Sequence, residues 1–275
     1  MYGNLYLVAT PIGNLEDITY RAIKVLKEVD LIAAEDTRQT LKLLNHYEIK
    51  KPLISYHRHN EEIKVEGLIE QIKDGKNIAI VSDAGTPAIC DPGEVIVKEA
   101  IKENINIIPI PGACAFVNAL ISSGLDTTEF AFYGFLSINK KIRKEKLREI
   151  EKESKTVILY EAPHKIKATL EDLSKILGDR KIVIARELTK IHEEFIRGNV
   201  NEILEKYQEP KGEHIILIEG SNFNESKEEQ ERLNDMTIKE HYEFYEKQGL
   251  QKNEIIKKIA KDRNVTKNEI YKLFV

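Results

Sequence analysis

Three segments rich in glycine, proline and small residues are candidate ligand-binding loops. They cover residues 10–15, 82–93 and 109–115, and each follows or includes the end of a short apolar run. Ligands of open α/β sheets bind at the carboxyl ends of strands, and glycine and proline fix a backbone that a ligand can approach closely. We therefore expect these loops to form a binding site. An ordinary connection between elements is the alternative, above all for the first loop.

The second and third loops also have suitable chemistry for a small organic ligand. Asp83 can accept a hydrogen bond from an ammonium or hydroxyl group, and backbone amides beside it can bind a carboxylate. The small residues of the third loop leave room for a flat ring or a sulfur-bearing chain. Neither GxGxxG nor GxxxxGK[ST] occurs, which disfavours an ordinary dinucleotide site and a nucleoside-triphosphatase.

Charged side chains at predicted strand ends and helix starts are candidates for proton transfer. They are Asp36, Glu161, Glu187 and Lys190. Any of them could serve as a general base if it faces the ligand, and the sequence does not rank them. Charges at strand ends also commonly just meet solvent. His57 and His59 come nearest to a metal-ligand pair but fit a polar loop better, so we expect no metal.

A strongly basic segment covers residues 139–155, with eight basic and four acidic side chains. A solvated helix face is one interpretation, and contact with an RNA backbone is the one we favour. The predicted RNA-binding residues are Lys140, Lys141, Arg143, Lys144 and Arg148.

Short apolar runs separated by helical patterns predict the elements that position these residues. The runs read as buried strands at 5–9, 31–34, 78–81, 105–110, 130–135, 156–160, 182–185 and 215–218. Between the first two, residues 18–29 repeat apolar side chains with a helical period. The alternation indicates an α/β fold, with a first domain at 1–115 and a second at 116–222.

The composition changes after Gly220. Residues 221–231 are polar and predict a linker, and residues 232–275 predict a small helical domain. Ile255, Ile256, Ile259 and Ala260 form one apolar stripe. Thr266 and Glu269 form a capping box for a last helix carrying Ile270, Leu273 and Phe274. With a short turn at Asn264 the two helices resemble a helix-turn-helix; a packing or dimerising appendage is equally open.

Bulk composition limits the class of protein. The chain has 275 residues, 41% of them hydrophobic, which is enough for a substantial core. Its 42 basic and 46 acidic side chains leave a net charge of −4, so no global attraction to phosphate follows. Two cysteines, Cys90 and Cys114, suggest reduced thiols. No apolar run approaches a membrane span, so we expect a soluble cytoplasmic protein.

Seven segments occur along the chain in a fixed order, and together they identify a protein family more reliably than any single one does. They are TPIGNLEDIT, AAEDTR, VSDAGTPAICDPG, PGACA, YEAPHK, ARELTK and KGEHIILIEG. They resemble the ribosomal RNA small-subunit methyltransferase I family, a branch of the tetrapyrrole methylases, from about Asn4 to Gly220. The resemblance implies two α/β domains of the tetrapyrrole-methylase type with a small helical C-terminal domain, and a homodimer. It also implies S-adenosylmethionine in a cleft and 2′-O-methylation of a cytidine in 16S ribosomal RNA, as free RNA or in the small ribosomal subunit.

The resemblance also implies a set of cofactor-binding positions, several of them acting through backbone atoms. They are Pro11, Ile12, Gly13, Asp83, Gly85, Thr86, Ile89, Ala113, Cys114, Tyr160, Leu188 and His214. A sulfonium methyl group is already electrophilic, so positioning should dominate the chemistry. The alternatives are methylation of a small tetrapyrrole-like substrate and a non-catalytic RNA-binding factor in ribosome assembly.

Overall fold

The computed structural model describes residues 1–207, 212–221, 232–263 and 265–273. They form two compact units. Met1–Ile150 and Lys155–Glu219 make up the first unit, and Glu151–Ser154 with Gly220–Val275 make up the second. In the described part of the chain, no helix combines the length and the apolar character that a membrane span requires.

The first sheet of the larger unit is fully parallel. Its strands are β1 (Asn4–Val8), β2 (Leu31–Ala34), β3 (Leu53–Ser55), β4 (Ile78–Val81) and β5 (Asn106–Ile110), in the order β3-β2-β4-β1-β5. Its helices are α1 (Tyr20–Glu28), α2 (Thr37–His46), α3 (Glu61–Lys73) and α4 (Glu94–Lys102). Every residue of β2 and β4 is buried, as expected for central strands of a parallel sheet.

The predicted helical period between the first two strands is confirmed. In α1, Ala22, Val25 and Leu26 are buried, and the Thr19 side chain caps the helix by accepting a hydrogen bond from the Ala22 amide. The apolar stripe therefore faces the sheet while the remaining positions stay solvated.

The second sheet of the larger unit is mixed. Its strands are β6 (Phe130–Phe135), β7 (Thr156–Glu161), β8 (Lys181–Arg186), β9 (Glu194–Asn199) and β10 (His214–Ile218), in the order β6-β7-β10-β8-β9. Only the β6–β7 pair is parallel among these pairings. Its helices are α5 (Ala115–Ser123), α6 (Lys140–Lys152), α7 (Ile166–Leu177) and α8 (Val200–Lys206).

The chain passes from one sheet to the other between β5 and α5. Ala119 and Leu120 of α5 are buried in a cluster with Ile158 and Val183 of the second sheet. The crossover is therefore made by residues 111–114, which belong to the third predicted loop.

The predicted α/β class is confirmed, and all eight predicted strands are present. Two further strands, β3 and β9, escaped the sequence pattern. Both are edge strands: β3 has three half-buried residues, and β9 has only two apolar side chains, Phe195 and Ile196, among its six residues. The edge strands β5 and β6 were predicted because each contains an apolar run, whereas β3 is too short and β9 too polar to form one.

The smaller unit is helical, with α9 (Ile238–Lys247), α10 (Lys252–Asp262) and α11 (Lys267–Tyr271). The predicted stripe Ile255, Ile256, Ile259 and Ala260 is buried around Tyr245 and Ile270, and the capping box of Thr266 and Glu269 is present.

The prediction that the last helix carries Leu273 was wrong. Helix α11 ends at Tyr271, and Leu273 is 61% exposed, because a helix of five residues turns only Ile270 into the small core. Phe274, the predicted turn at Asn264 and all but the first residue of the predicted linker lie outside the described residues.

Candidate active-site cleft

A cleft with a volume of about 450 Å³ lies where strand ends of the two sheets meet. The first sheet contributes the loops after β1, β2, β4 and β5. The second contributes the ends of β6, β7 and β8 and the start of β10. Residues more than 200 positions apart in the chain therefore face one another.

Backbone hydrogen bonds tie the three glycine-rich loops together. The Thr10 amide donates to the Gly85 carbonyl at 2.8 Å, and the Gly85 amide donates back to the Thr10 carbonyl at 3.0 Å. The Thr86 hydroxyl donates to the Ala113 carbonyl at 3.0 Å, which joins the second loop to the third. Gly85 has a φ of +81°, a conformation that costs glycine little. The loops thus form one preorganised wall.

The first loop also packs tightly against the loop after β8. A Cβ atom at Gly13 would lie 2.9 Å from the Leu188 carbonyl oxygen and 2.6 Å from Cγ of Lys190. The Asn14 amide donates to the Thr189 hydroxyl at 3.0 Å. Only a residue without a side chain fits at position 13, so this glycine serves the packing between the two loops.

Three carboxyl groups on the first-sheet side of the cleft have raised pKa values: Glu35, Asp83 and Asp91. Burial is the main cause for each. For Asp91, burial followed by the charge of Glu35 raises the pKa to about 6. Asp83 accepts a hydrogen bond from the Asp36 amide at 2.9 Å, and Glu35 accepts one from the Asp83 amide at 3.3 Å. These contacts hold the Asp83 and Glu35 carboxyl groups in place beside the cleft.

Two aromatic side chains, Tyr160 and Phe135, line the opposite wall of the cleft. The Tyr160 hydroxyl accepts a hydrogen bond from the Phe116 amide at 3.2 Å, and burial raises the Tyr160 pKa. Phe135 packs edge-on against Tyr160, with ring centroids 5.6 Å apart, yet remains 57% exposed. An exposed ring at the mouth of a cleft offers a flat surface to a ligand.

Glu161 is the one predicted proton-transfer residue that lines this cleft. It lies at the end of β7 and is only 4% exposed. Its Oε1 accepts a hydrogen bond from the Ala162 amide at 2.9 Å, and its Oε2 accepts one from the Thr169 hydroxyl at 2.5 Å. The carboxylate is therefore held in a fixed orientation.

The other three predicted proton-transfer residues lie outside the cleft lining and are ion-paired. Asp36 caps α2 and pairs with Arg38 at 2.6 Å, and hydrogen bonds from Arg38 lower its pKa to about 2. Lys190 pairs with Glu187 at 2.9 Å, and this hydrogen bond lowers the pKa of Glu187.

Eight of the predicted cofactor positions line the cleft. They are Ile12, Asp83, Gly85, Thr86, Ile89, Cys114, Tyr160 and Leu188. Pro11 and Gly13 flank Ile12 without lining the cleft, and Ala113 contributes the carbonyl bonded to Thr86.

His214 points away from the cleft. It is 2% exposed, its Nε2 is hydrogen-bonded to the Tyr207 hydroxyl, and burial lowers its pKa to about 4. Successive side chains of a strand point to opposite faces. Its neighbours Glu213 and Ile215 line the cleft instead.

Several cleft residues were not singled out from the sequence, among them Glu35, Asp91, Phe135 and Glu213. Glu35 directly follows β2, and Asp91 lies within the second glycine-rich loop. Position after a buried strand was the available signal for Glu35, whereas nothing local distinguishes Phe135 or Glu213 from a solvated residue.

The predicted RNA-binding residues all lie on α6, but on different sides of it. Lys140, Arg143 and Lys144 line a groove between α6 and α7, whereas Lys141 and Arg148 are exposed elsewhere. Arg143 donates to Asp172 at 2.8 Å and to the Thr169 hydroxyl at 2.9 Å, so its guanidinium ties α6 to α7.

The histidine pair of the sequence lies in the turn after β3. The His57 and His59 rings have centroids 6.0 Å apart, and His57 is hydrogen-bonded to Asn60. Over the described residues, no three His, Cys, Asp or Glu side chains are grouped so that they could hold a metal ion.

Comparison with known proteins defines the class. The family of tetrapyrrole (corrin/porphyrin) methylases matches residues 4–204. The fold is shared with diphthine synthase, at a TM-score of 0.62 and 17% identity, over 79% of this chain and 90% of that one. It is also shared with uroporphyrin-III C-methyltransferase from Thermus thermophilus complexed with S-adenosylhomocysteine, at a TM-score of 0.57 and 16% identity, over 79% and 97%. The two-sheet architecture is that of a tetrapyrrole methylase.

Proteins with similar sequences identify one family among the tetrapyrrole methylases. The chain is 52% identical to ribosomal RNA small subunit methyltransferase I of Bacillus subtilis, over 98% of this chain and 93% of that protein. It is 51% identical to the protein of the same name from Halalkalibacterium halodurans, over 99% and 94%. The chain therefore belongs to the ribosomal RNA small subunit methyltransferase I family of tetrapyrrole methylases.

Proposed function

We propose that this protein transfers a methyl group from S-adenosylmethionine to small-subunit ribosomal RNA, at the 2′-hydroxyl of a cytidine. One observation carries the proposal. In the cleft, the glycine-rich loops of the first sheet lie opposite Glu161, Tyr160 and Phe135 of the second sheet. It does so in a chain that is 52% identical to a ribosomal RNA methyltransferase over nearly its full length.

The residues present fit S-adenosylmethionine. A volume of about 450 Å³ lies within the range of small-molecule sites. Asp83 and Asp91 can face the positive charges of the ammonium and sulfonium groups, and Ile12 and Leu188 can contact the adenine ring. A Cβ atom at Gly85 would lie 3.1 Å from Cγ2 of Ile12, so the glycine allows the first and second loops to pack closely beside the cofactor site.

The bound cofactor supplies an electrophilic methyl group. The protein has two tasks: to hold the ribose oxygen in line with that methyl group, and to accept its proton. Glu161 and Asp91 are the proposed proton acceptors, because both line the cleft. Glu161 is fixed by two hydrogen bonds, and a carboxylate retains further lone pairs for a substrate hydroxyl. Asp91 has a pKa of about 6, close to the value that suits a general base at neutral pH.

The test has two steps. Calorimetry with S-adenosylmethionine in chelator measures cofactor binding, and we expect binding without metal. Purified protein is then incubated with cofactor and either naked 16S ribosomal RNA or assembled small subunits, and the modified nucleoside is mapped by mass spectrometry. A 2′-O-methylcytidine is expected. Undetectable binding at millimolar cofactor, methylation of a base instead of a ribose, or transfer only to a tetrapyrrole would contradict the proposal.

We further propose that the protein is a cytoplasmic homodimer. In support, α5 exposes apolar side chains: Ile121 is 67% and Val117 42% exposed, and nearby in sequence Phe130 at the start of β6 is 43% exposed. Light scattering across a concentration series measures the molar mass in solution. A monomer at all concentrations would contradict the proposed homodimer.

A further inference from the structure

A second concave surface, with a volume of about 570 Å³, lies between α6 and α7. Apolar side chains such as Leu136, Leu147 and Ile176 contribute to its lining. Four lysines also line it: Lys140 and Lys144 from α6, Lys175 from α7, and Lys165 just before α7. We call this surface the α6–α7 groove.

The four groove lysines differ from three ion-paired lysines of the same unit. Lys146, Lys155 and Lys181 each pair with a glutamate. Among the described residues, the side chains of the four groove lysines make no ion pair or hydrogen bond. The groove's own carboxylate, Asp172, is already paired with Arg143, so four positive charges remain uncompensated.

The α6–α7 groove adjoins the cleft. Phe135 lines the cleft and the next residue, Leu136, lines the groove. Thr169 lines the groove and donates its hydroxyl hydrogen bond to Glu161 of the cleft at 2.5 Å. The groove lies on the α6–α7 face of the second sheet and the cleft on the α5 face. They approach each other at the carboxyl ends of β6 and β7, so a chain-like ligand can pass from the groove to the cleft around this edge of the sheet.

We propose that the α6–α7 groove binds the sugar–phosphate backbone of a single RNA strand and leads the target nucleotide into the cleft. The inference rests on the proposed function and names how its substrate is held. Unpaired lysines supply the phosphate contacts. A single strand is required because the cleft is too small for a duplex, and RNA is read chiefly where its bases are unpaired. Arg143 positions α6 and does not contact the RNA.

The proposal distinguishes lysines that bind RNA from neighbouring lysines that do not, a distinction that the sequence alone does not make. Lys165 and Lys175 bind phosphate although they lie outside the basic segment. Lys141 does not, although it lies within that segment. Lys167 is an exposed lysine on α7 that does not line the groove, which makes it a matched control.

The experiment measures the affinity of full-length protein for a labelled oligouridine of about 12 nucleotides by fluorescence anisotropy across a salt series. Each phosphate contact with a single strand contributes about 0.7 to the slope of log affinity against log salt concentration, so Lys165→Ala/Lys175→Ala should flatten the slope by about 1.4. The affinity lost between about 50 and about 200 mM salt should then be about sevenfold smaller than for the parent protein. Lys141→Ala/Lys167→Ala should leave the slope unchanged.

Three results would overturn the inference: equal slopes for the groove variant and the parent, equal flattening by the control variant, or tighter binding of an RNA duplex through the same lysines. Calorimetry with S-adenosylmethionine and the methylation assay are run on every variant. If the parent neither binds cofactor nor transfers methyl groups, the proposed function fails. If it does both while the slopes stay equal, only the groove assignment fails.

Discussion

Two carboxyl groups at the cleft have contrasting surroundings. Asp91 lies between Cys90, whose φ is +63°, and Pro92, and burial with the nearby charge of Glu35 raises its pKa to about 6. Glu161 is more deeply buried by surface area, and two hydrogen bonds fix the orientation of its side chain. The folded protein therefore opposes ionisation of Asp91 while it holds the Glu161 carboxylate in place.

The raised pKa of Asp91 predicts a pH-dependent effect on stability. Between its usual value of 3.8 and about 6, the folded state binds more protons than the unfolded state, so this group lowers stability as pH rises through that window. Asp91→Asn should therefore stabilise the protein by about 1–3 kcal/mol near pH 8, with the gain vanishing below about pH 4. Urea unfolding across pH measures this. A gain independent of pH would contradict the titration of Asp91.

If Glu161 accepts the substrate proton, Glu161→Gln should lower kcat about 100-fold or more while cofactor affinity changes little. Glutamine keeps the size and can still accept one of the two hydrogen bonds, from the Thr169 hydroxyl or from the Ala162 amide, so folding should persist. Glu187→Gln, outside the cleft lining, is the matched control. Single-turnover methylation rates of both variants measure this. An equal loss of rate in both variants would contradict the proposed role of Glu161.

At the scale of elements, the cleft depends on close packing between loops of different sheets. Gly13 of the loop after β1 lies against the Leu188 carbonyl and the Lys190 side chain of the loop after β8. Gly67 in α3 is the opposite case, since an added Cβ would meet no atom within 4 Å.

These two glycines give a matched pair of alanine variants. Gly13→Ala should destabilise the protein by about 1–3 kcal/mol, because the Leu188 backbone has to move, and should also weaken cofactor binding. Gly67→Ala should stabilise by about 0.5–1 kcal/mol, because alanine restricts the unfolded chain and favours the helix. Thermal or urea unfolding with calorimetry tests both. Equal effects would show that the loops accommodate a side chain freely.

At the scale of the whole molecule, the C-terminal unit has a core of its own. Ile255, Ile256 and Ile259 are fully buried within it, and Arg263 donates to His241 and to the Leu233 carbonyl. Residues 251–275 carry seven basic and three acidic side chains. The overall charge of −4 conceals this local excess.

Truncation after Ser221 should leave cofactor affinity unchanged, because every residue lining the cleft precedes that point. If the basic excess of residues 251–275 contacts phosphates, RNA affinity should fall and its salt dependence should become shallower. Calorimetry and a salt series of RNA binding measure the two effects. Unchanged RNA binding would make the tail a packing or dimerising element.

The sequence by itself determined the α/β class, eight strands and the loops that bound the cleft, because buried strands and glycine-rich turns are encoded by neighbouring residues. It also determined the helical tail, whose capping box and apolar stripe are local patterns. It did not reveal β3, which has only three residues, or β9, which has two apolar side chains among six, because neither forms an apolar run.

Only the tertiary structure decided which charged residues act together. Thr10 meets Gly85, and Asp36 meets Asp83, across long stretches of chain. Strand register decided that Glu213 faces the cleft while His214 is buried beside Tyr207. Packing between α6 and α7 places the Arg143 guanidinium in hydrogen bonds with Asp172 and Thr169. The four groove lysines beside it have no ion pair among the described residues. The pKa of Asp91 depends on burial and on the charge of Glu35, both of which arise only when distant segments pack together.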